Sequence, residues 1–200
     1  MPAFAPALPN YFYQWVPIRI TKLKQVLEGR LWKDRQDLEV RGGPVIEDPV
    51  SIDEVRPDQF KPVLLGETFG PPFGNWNQRW FQIDIPTPSL GQMGQRFLFW
   101  DCRGETTVFI DVEPWAGLNV AHEFCPLPDK ACTLFLDCGT YQTAIWHPGK
   151  PIDQYGLRFD GAWIATRNPE TWEVYWDLEV LSQLMESLLK QDGNGEGYKG

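Results

Sequence analysis

From Trp80 to Arg167 the chain keeps repeating one pattern, a short aromatic and β-branched run closed by glycine or proline. WFQIDI (Trp80 to Ile85) stops at Pro86 and Pro88, and RFLFWD (Arg96 to Asp101) is followed by ETTVFIDV (Glu105 to Val112). Next come TLFLDC (Thr133 to Cys138), TYQTAIW (Thr140 to Trp146) and GLRFDGAWIATR (Gly156 to Arg167), the last long enough for one or two strands. Runs of this composition and length are strands. Cys102-Arg103-Gly104 reads as the loop of a hairpin, and Gly139 as the turn of another. Short strands with turn signals at this spacing predict an antiparallel sandwich. No βαβ alternation, GxGxxG or P-loop occurs, which argues against a nucleotide-binding α/β fold.

Helical periods flank the strands. Val16, Ile20, Leu23, Leu27 and Leu31 fall at steps of four, three, four and four, one face of a helix over Val16 to Gln36. Pro17 suits its first turn, and Lys22, Lys24, Arg30 and Lys33 lie off the stripe on a basic, solvated face. Arg41 to Pro57 (RGGPVIEDPVSIDEVRP) has no period and reads as an extended connector. At the far end Asn168 is a natural N-cap, Pro169 fits the first helical position, and Glu170 complements the helix dipole. Val174, Leu178, Leu181, Met185 and Leu188 make a heptad-like seam, widened by Trp172, Tyr175 and Trp176. Gln191 to Gly200 reads as a linker. The expected organisation is a helix and connector over 1–59, a β-sandwich over 60–167, and a helix with tail over 168–200.

The net charge of −9 argues against nucleic acid and anionic membrane surfaces as partners. No apolar run approaches a membrane span, and Met1 to Trp15 lacks a basic region followed by an apolar stretch, so no secretory signal is expected. Four cysteines then read as free thiols in a reducing cytoplasm. His122, Cys125, Cys132 and Cys138 contain no CxxC pair, and they read as buried thiols beside a histidine rather than a zinc site.

Hydrolytic chemistry has little to draw on. There are two histidines, His122 and His147, and no GxSxG elbow. Asp84, Asp101, Glu105, Asp111 and Glu113 are acids of the kind every β protein carries at strand ends, so no catalytic residue is assigned. Sugar binding is easier to support, because ten tryptophans are present and an indole can stack on a sugar while carboxylates accept its hydroxyl hydrogens. Trp80 and Trp100 lie within strand patterns and are expected in the core. Trp115, after Glu113-Pro114 and before Gly117, is the best candidate for an exposed ring; Glu113 and Trp76 complete the candidate carbohydrate-binding set.

Segment order adds a resemblance. FKPVLLGETFGPPFGNWNQRWFQIDIP, beginning at Phe60, is similar to the opening of the N-terminal β domain of glycoside hydrolase family 38 α-mannosidases, with Trp80-Phe81 and Ile85-Pro86 at the family's aromatic pair and strand end. FLFWDCRGETTVFIDVEPWAGLNVAHEF resembles the hairpin that follows, with Trp100, Asp101, Gly104, Glu105, Gly117, Leu118 and His122 in register. PETWEVYWDLEVLSQL resembles the helical link before the catalytic barrel, and RITKLKQVLEGRLWKD the opening helix. The resemblance implies a jelly-roll or galactose-binding-like sandwich between two helices, in a non-catalytic N-terminal region. Its partner would be the parent enzyme's catalytic domain, where zinc or another divalent metal and an Asp nucleophile act on mannosides. This sequence has no His-x-Asp element, so no cofactor and no catalytic or metal residue carries over to it. A stand-alone module binding mannose-containing glycans and a protein-interaction domain are the alternative readings.

Overall fold

A computed structural model describes residues 10–70, 77–89, 94–140 and 157–192, with the side chains of 10–14 and 188–192 left aside. Among them, helix α1 (Asn10–Glu28) leads into β1 (Trp32–Asp37), β2 (Val40–Ile46), β3 (Lys61–Pro62), β4 (Thr68–Phe69), β5 (Gln78–Ile85), β6 (Arg96–Asp101) and β7 (Glu105–Ile110). Then come β8 (Glu113–Leu118), β9 (Phe124–Pro126), β10 (Cys132–Gly139), β11 (Leu157–Arg158), β12 (Gly161–Arg167) and helix α2 (Pro169–Asp192). The chain divides into two compact units, the strands over Asp34–Thr166 and the helices with their flanks over Met1–Lys33 and Arg167–Gly200.

The strand unit is a mainly antiparallel sandwich, with a six-stranded sheet ordered β3-β2-β5-β10-β7-β8 and a four-stranded sheet ordered β1-β12-β6-β9. Alternation sorts each strand's residues between interior and outer face. Phe81, Ile83 and Ile85 of β5, Leu134, Leu136 and Cys138 of β10, and Val108 of β7 face inward from the larger sheet. Leu98 and Trp100 of β6 and Ala162 and Ile164 of β12 meet them from the smaller one. Phe81 and Trp100 pack edge to face across the middle, ring centres 5.0 Å apart.

Several expectations change. The first helix ends at Glu28 rather than Gln36, and β1 follows, whose WKDRQD is exposed beyond the half-buried Trp32 and carries no apolar alternation. The connector from Arg41 is not unstructured: β2 pairs with β5 around a bulge between Gly42 and Val45. A Cβ on Gly42 would meet Val63 at 2.8 Å, and one on Gly43 would meet Phe60 at 2.7 Å, so close packing requires the glycines here. RFLFWD and ETTVFIDV are not a hairpin. They belong to different sheets, and Cys102-Arg103-Gly104 is an arch between the layers, with Arg103 in the left-handed region at φ 63°. The expected strand beyond Gly139 lies, from Tyr141, outside the described residues.

In the helical unit Asn168 caps α2, its Oδ1 accepting from the Thr171 N–H (3.4 Å). The helices run antiparallel; Lys24 of α1 pairs with Glu179 of α2, and the Tyr175 hydroxyl donates to Glu28 (3.0 Å), while Ile20, Leu27 and Leu178 are half-buried.

Candidate functional site

Two surfaces are candidates, one in each unit. In the sandwich, the outer face of the six-stranded sheet carries a groove of about 580 Å³ running across β5, β10, β7 and β8. Asn77, Gln78, Glu105, Thr107, Asp137 and Asn119 line it with amide, hydroxyl and carboxylate groups. Alternation places them: Asp137 stands between the inward Leu136 and Cys138, and so points away from the core. Burial pushes the Asp137 carboxyl above its ordinary value, opposed by a hydrogen bond from Gln78. Gln78 itself is fixed by a reciprocal pair with the Val50 backbone, donating to the carbonyl (3.1 Å) and accepting from the N–H (2.9 Å). No lysine or arginine is among the groove's described lining residues, so its chemistry suits neutral hydroxyl-rich ligands better than anions.

The predicted sugar-binding residues lie elsewhere or out of view. Trp76 is outside the described residues. Glu113 and Trp115 share β8 with the groove residues Gly117 and Leu118 but do not line the groove. Trp115 leaves 47 % of its surface open, yet its Nε1–H donates to the Pro126 carbonyl at 2.7 Å. Because β8 edges one sheet and β9 the other, this bond ties the two layers at their open side. Trp80 and Trp100 are both buried, but only Trp100 joins the interior cluster. Trp80, next to the inward Phe81, lies on the outer face against Phe109, and its buried Nε1 has no hydrogen-bond partner.

Sequence reasoning passed over a second aromatic row. Phe124, Phe99 and Trp163 stand in register across β9, β6 and β12, Phe99 and Trp163 stacked within 8° of parallel. The Arg35 guanidinium covers Trp163 at 4.1 Å. The available signal was parity, since Phe99 alternates with the inward Leu98 and Trp100.

In the helical unit the candidate is apolar. Trp15, Leu23 and Val26 of α1 and Val174, Val180, Leu181 and Leu184 of α2 are exposed, Leu181 by 57 %. Of the predicted stripes, Val16, Ile20, Leu27, Leu178 and Met185 are half-buried, whereas Leu23, Val174 and Leu181 face outward. Lys24 and Tyr175 are both shifted upward in pKa. For Lys24 the main cause is its hydrogen bond to Glu179; for Tyr175 it is burial, with the bond to Glu28 adding to it.

Among the described residues no group of three or more His, Cys, Asp or Glu is placed to hold a metal ion. His122 is exposed, and its backbone N–H donates to Asn119 Oδ1 at 2.9 Å; Cys125 and Cys138 belong to the core, and His147 is outside the described residues. No helix among the described residues is long and apolar enough to cross a membrane.

A family model described as "Alpha-mannosidase, jelly roll domain" matches residues 35–134, which cover most of the strand unit. No curated protein matches the sequence.

Proposed function

Because this chain belongs to the alpha-mannosidase jelly roll domain family, we propose that it is the non-catalytic N-terminal region of a glycoside hydrolase family 38 α-mannosidase, working in the cytoplasm. Its task is to pack on a metal-dependent catalytic domain and support the substrate cleft. One observation supports this most: several large apolar residues of α1 and α2, among them Leu23, Val26, Val174 and Leu181, are exposed. Each such residue withheld from water stabilises a contact by about 1.5–3 kcal/mol when fully buried, so open rows of this kind favour a protein partner.

An antibody blot of native extract tests the reading, and a band several times heavier than 23.0 kDa is expected. In that larger protein, Val174→Asp with Leu181→Asp should release the catalytic domain in limited proteolysis and lower α-mannosidase activity. A band at 23.0 kDa, or a double variant with wild-type proteolysis and activity, would sink it.

The groove on the sandwich supports a second reading, binding of mannose-containing glycans. Titrating mannosides against tryptophan fluorescence tests it. Saturable change lost in Asp137→Ala is expected, and no change at millimolar sugar refutes it.

A further inference from the structure

Cys102 and Cys138 are fully buried, and their Sγ atoms lie 3.4 Å apart. Cys102 follows the end of β6 and Cys138 lies in β10, so the pair reaches from one sheet to the other. The surroundings are built around the two sulfurs. Trp100 Nε1–H donates to Thr106 Oγ1 (3.1 Å), and the same hydroxyl reaches the Gly104 carbonyl (3.4 Å) and lies 3.5 Å from Cys102 Sγ. A Cβ on Gly104 would lie 2.8 Å from Cys138 Sγ, so the arch needs glycine for that sulfur to occupy its place. Burial pushes the Cys102 thiol up, but hydrogen bonds from Cys138 and Thr106 outweigh it and hold Cys102 below its ordinary value. Cys138, bonded to Cys102 and buried, is held well above. The remaining thiols contrast with this pair: burial pushes Cys125 up to about 12 and also raises Cys132.

We propose that Cys102 and Cys138 are a reactive dithiol that a peroxide converts into a disulfide joining the two sheets. The Cys102 thiolate attacks one peroxide oxygen, the O–O bond breaks, and the departing hydroxide leaves as water with the thiol's proton. The resulting sulfenic acid is then attacked by Cys138. The S–S bond forms as the S–O bond breaks, and a second water carries off the Cys138 proton. Two thiols lose two electrons, and the peroxide gains them. The two sulfurs have to close from 3.4 Å to a bonded distance of about 2.05 Å.

Access is through the arch. Arg103 Nε pairs with Asp160 Oδ2 at 2.8 Å, and the Asp160 N–H donates to the Asp101 carbonyl at 2.7 Å, so these contacts hold the tip closed over Cys102. Local opening of the tip is the step that admits peroxide.

The test treats the reduced, folded chain with hydrogen peroxide, traps free thiols with an alkylating reagent, and maps the peptides by mass spectrometry. A Cys102–Cys138 linked peptide is expected, two hydrogens lighter than its parts and reversed by dithiothreitol. Cys125 and Cys132 should remain alkylatable after unfolding. The oxidised protein should melt at higher temperature, and Arg103→Ala should form the link several-fold faster. Cys102→Ser and, should that variant fold poorly, Cys138→Ala must each abolish the link. A link that forms only in urea, thiols at 102 and 138 that stay reduced while Cys132 oxidises, or an unchanged rate in Arg103→Ala would overturn the proposal.

Discussion

Replacing Trp115 separates its two possible roles, closure of the sandwich edge and a stacking platform for sugar. About half of its surface is buried, and its Nε1–H is 2.7 Å from the Pro126 carbonyl. A tryptophan buries about 200 Å² when fully enclosed, so roughly 100 Å² is at stake here; at ~25 cal/mol per Å² that is about 2.5 kcal/mol. The hydrogen bond contributes about 1 kcal/mol net. Trp115→Phe keeps most of the contact and loses the donor, for a cost of about 1–1.5 kcal/mol; Trp115→Ala loses both, for about 3 kcal/mol. Unfolding entropy near 2.1 cal/mol/K per residue over the strand unit makes 1 kcal/mol worth about 4 °C. Trp115→Phe should therefore melt about 5 °C lower, and Trp115→Ala about 10 °C lower, by circular dichroism. The edge-closure argument is refuted if both variants melt within a degree of wild type. If the mannoside fluorescence response then vanished in Trp115→Ala, the ring would be a platform.

Three further perturbations follow from contacts in the sandwich. Gly104→Ala drives its Cβ to 2.6 Å from the Gly139 carbonyl oxygen, a backbone atom that cannot swing aside, and should cost about 3 kcal/mol in urea unfolding. Asp137→Asn should raise stability at neutral pH. The folded carboxyl is held above its ordinary value by burial, so the charged form carries a cost above that raised value, and the cost disappears once pH falls below the unfolded value. The two proteins' melting temperatures should therefore converge in acid. Asp160→Asn should act in the opposite sense. Burial pushes the Asp160 carboxyl up, but hydrogen bonds from Arg158 and Arg103 outweigh it and leave it depressed. That stability is present above the unfolded value and is lost as pH falls through the folded one. The variant should thus melt lower at neutral pH, with the gap closing in acid; a pH-independent gap in either case would show that packing rather than charge is responsible.

The strands that were legible are those whose inward residues are large and apolar. Phe81, Ile83 and Ile85 in β5, Leu134 and Leu136 in β10, and Leu98 and Trp100 in β6 mark their own parity. The less legible strands are held by backbone pairing, which leaves little trace in side-chain pattern. β1 is an edge strand of polar residues, and β8 is an edge strand containing Pro114 and Gly117 with a bulge against β7, positions where proline and glycine are tolerated. The misread arch has a different cause. A three-residue turn with glycine serves a hairpin and an inter-sheet arch equally well, and both leave Trp100 and Val108 facing the core. Only pairing partners farther along the chain decide between them: β9 and β12 for β6, β10 for β7. The candidate sites follow the same rule. Trp115 was identified as exposed from its local Pro and Gly neighbours, but its hydrogen-bond partner Pro126 lies across the sandwich edge. The groove draws Gln78, Glu105 and Asp137 from three strands, and no local window contains all of them.

The helical unit constrains function more than its simple shape suggests. A helix pair built only for its own stability would turn its largest apolar residues toward the contact between the helices. Here Ile20, Leu27, Leu178 and Met185 are half-buried and the Lys24–Glu179 and Tyr175–Glu28 pairs link the helices, yet Val174, Leu181 and Leu184 remain in solvent on α2. A surface ion pair and a hydroxyl–carboxylate hydrogen bond open to water are a weak reason to hold two helices together. Their value is geometric: Lys24 and Glu28 are one turn apart, as are Tyr175 and Glu179, so the pairs fix the register of one helix against the other. A register set by polar pairs, with apolar residues left open beside them, suits the docking role proposed above.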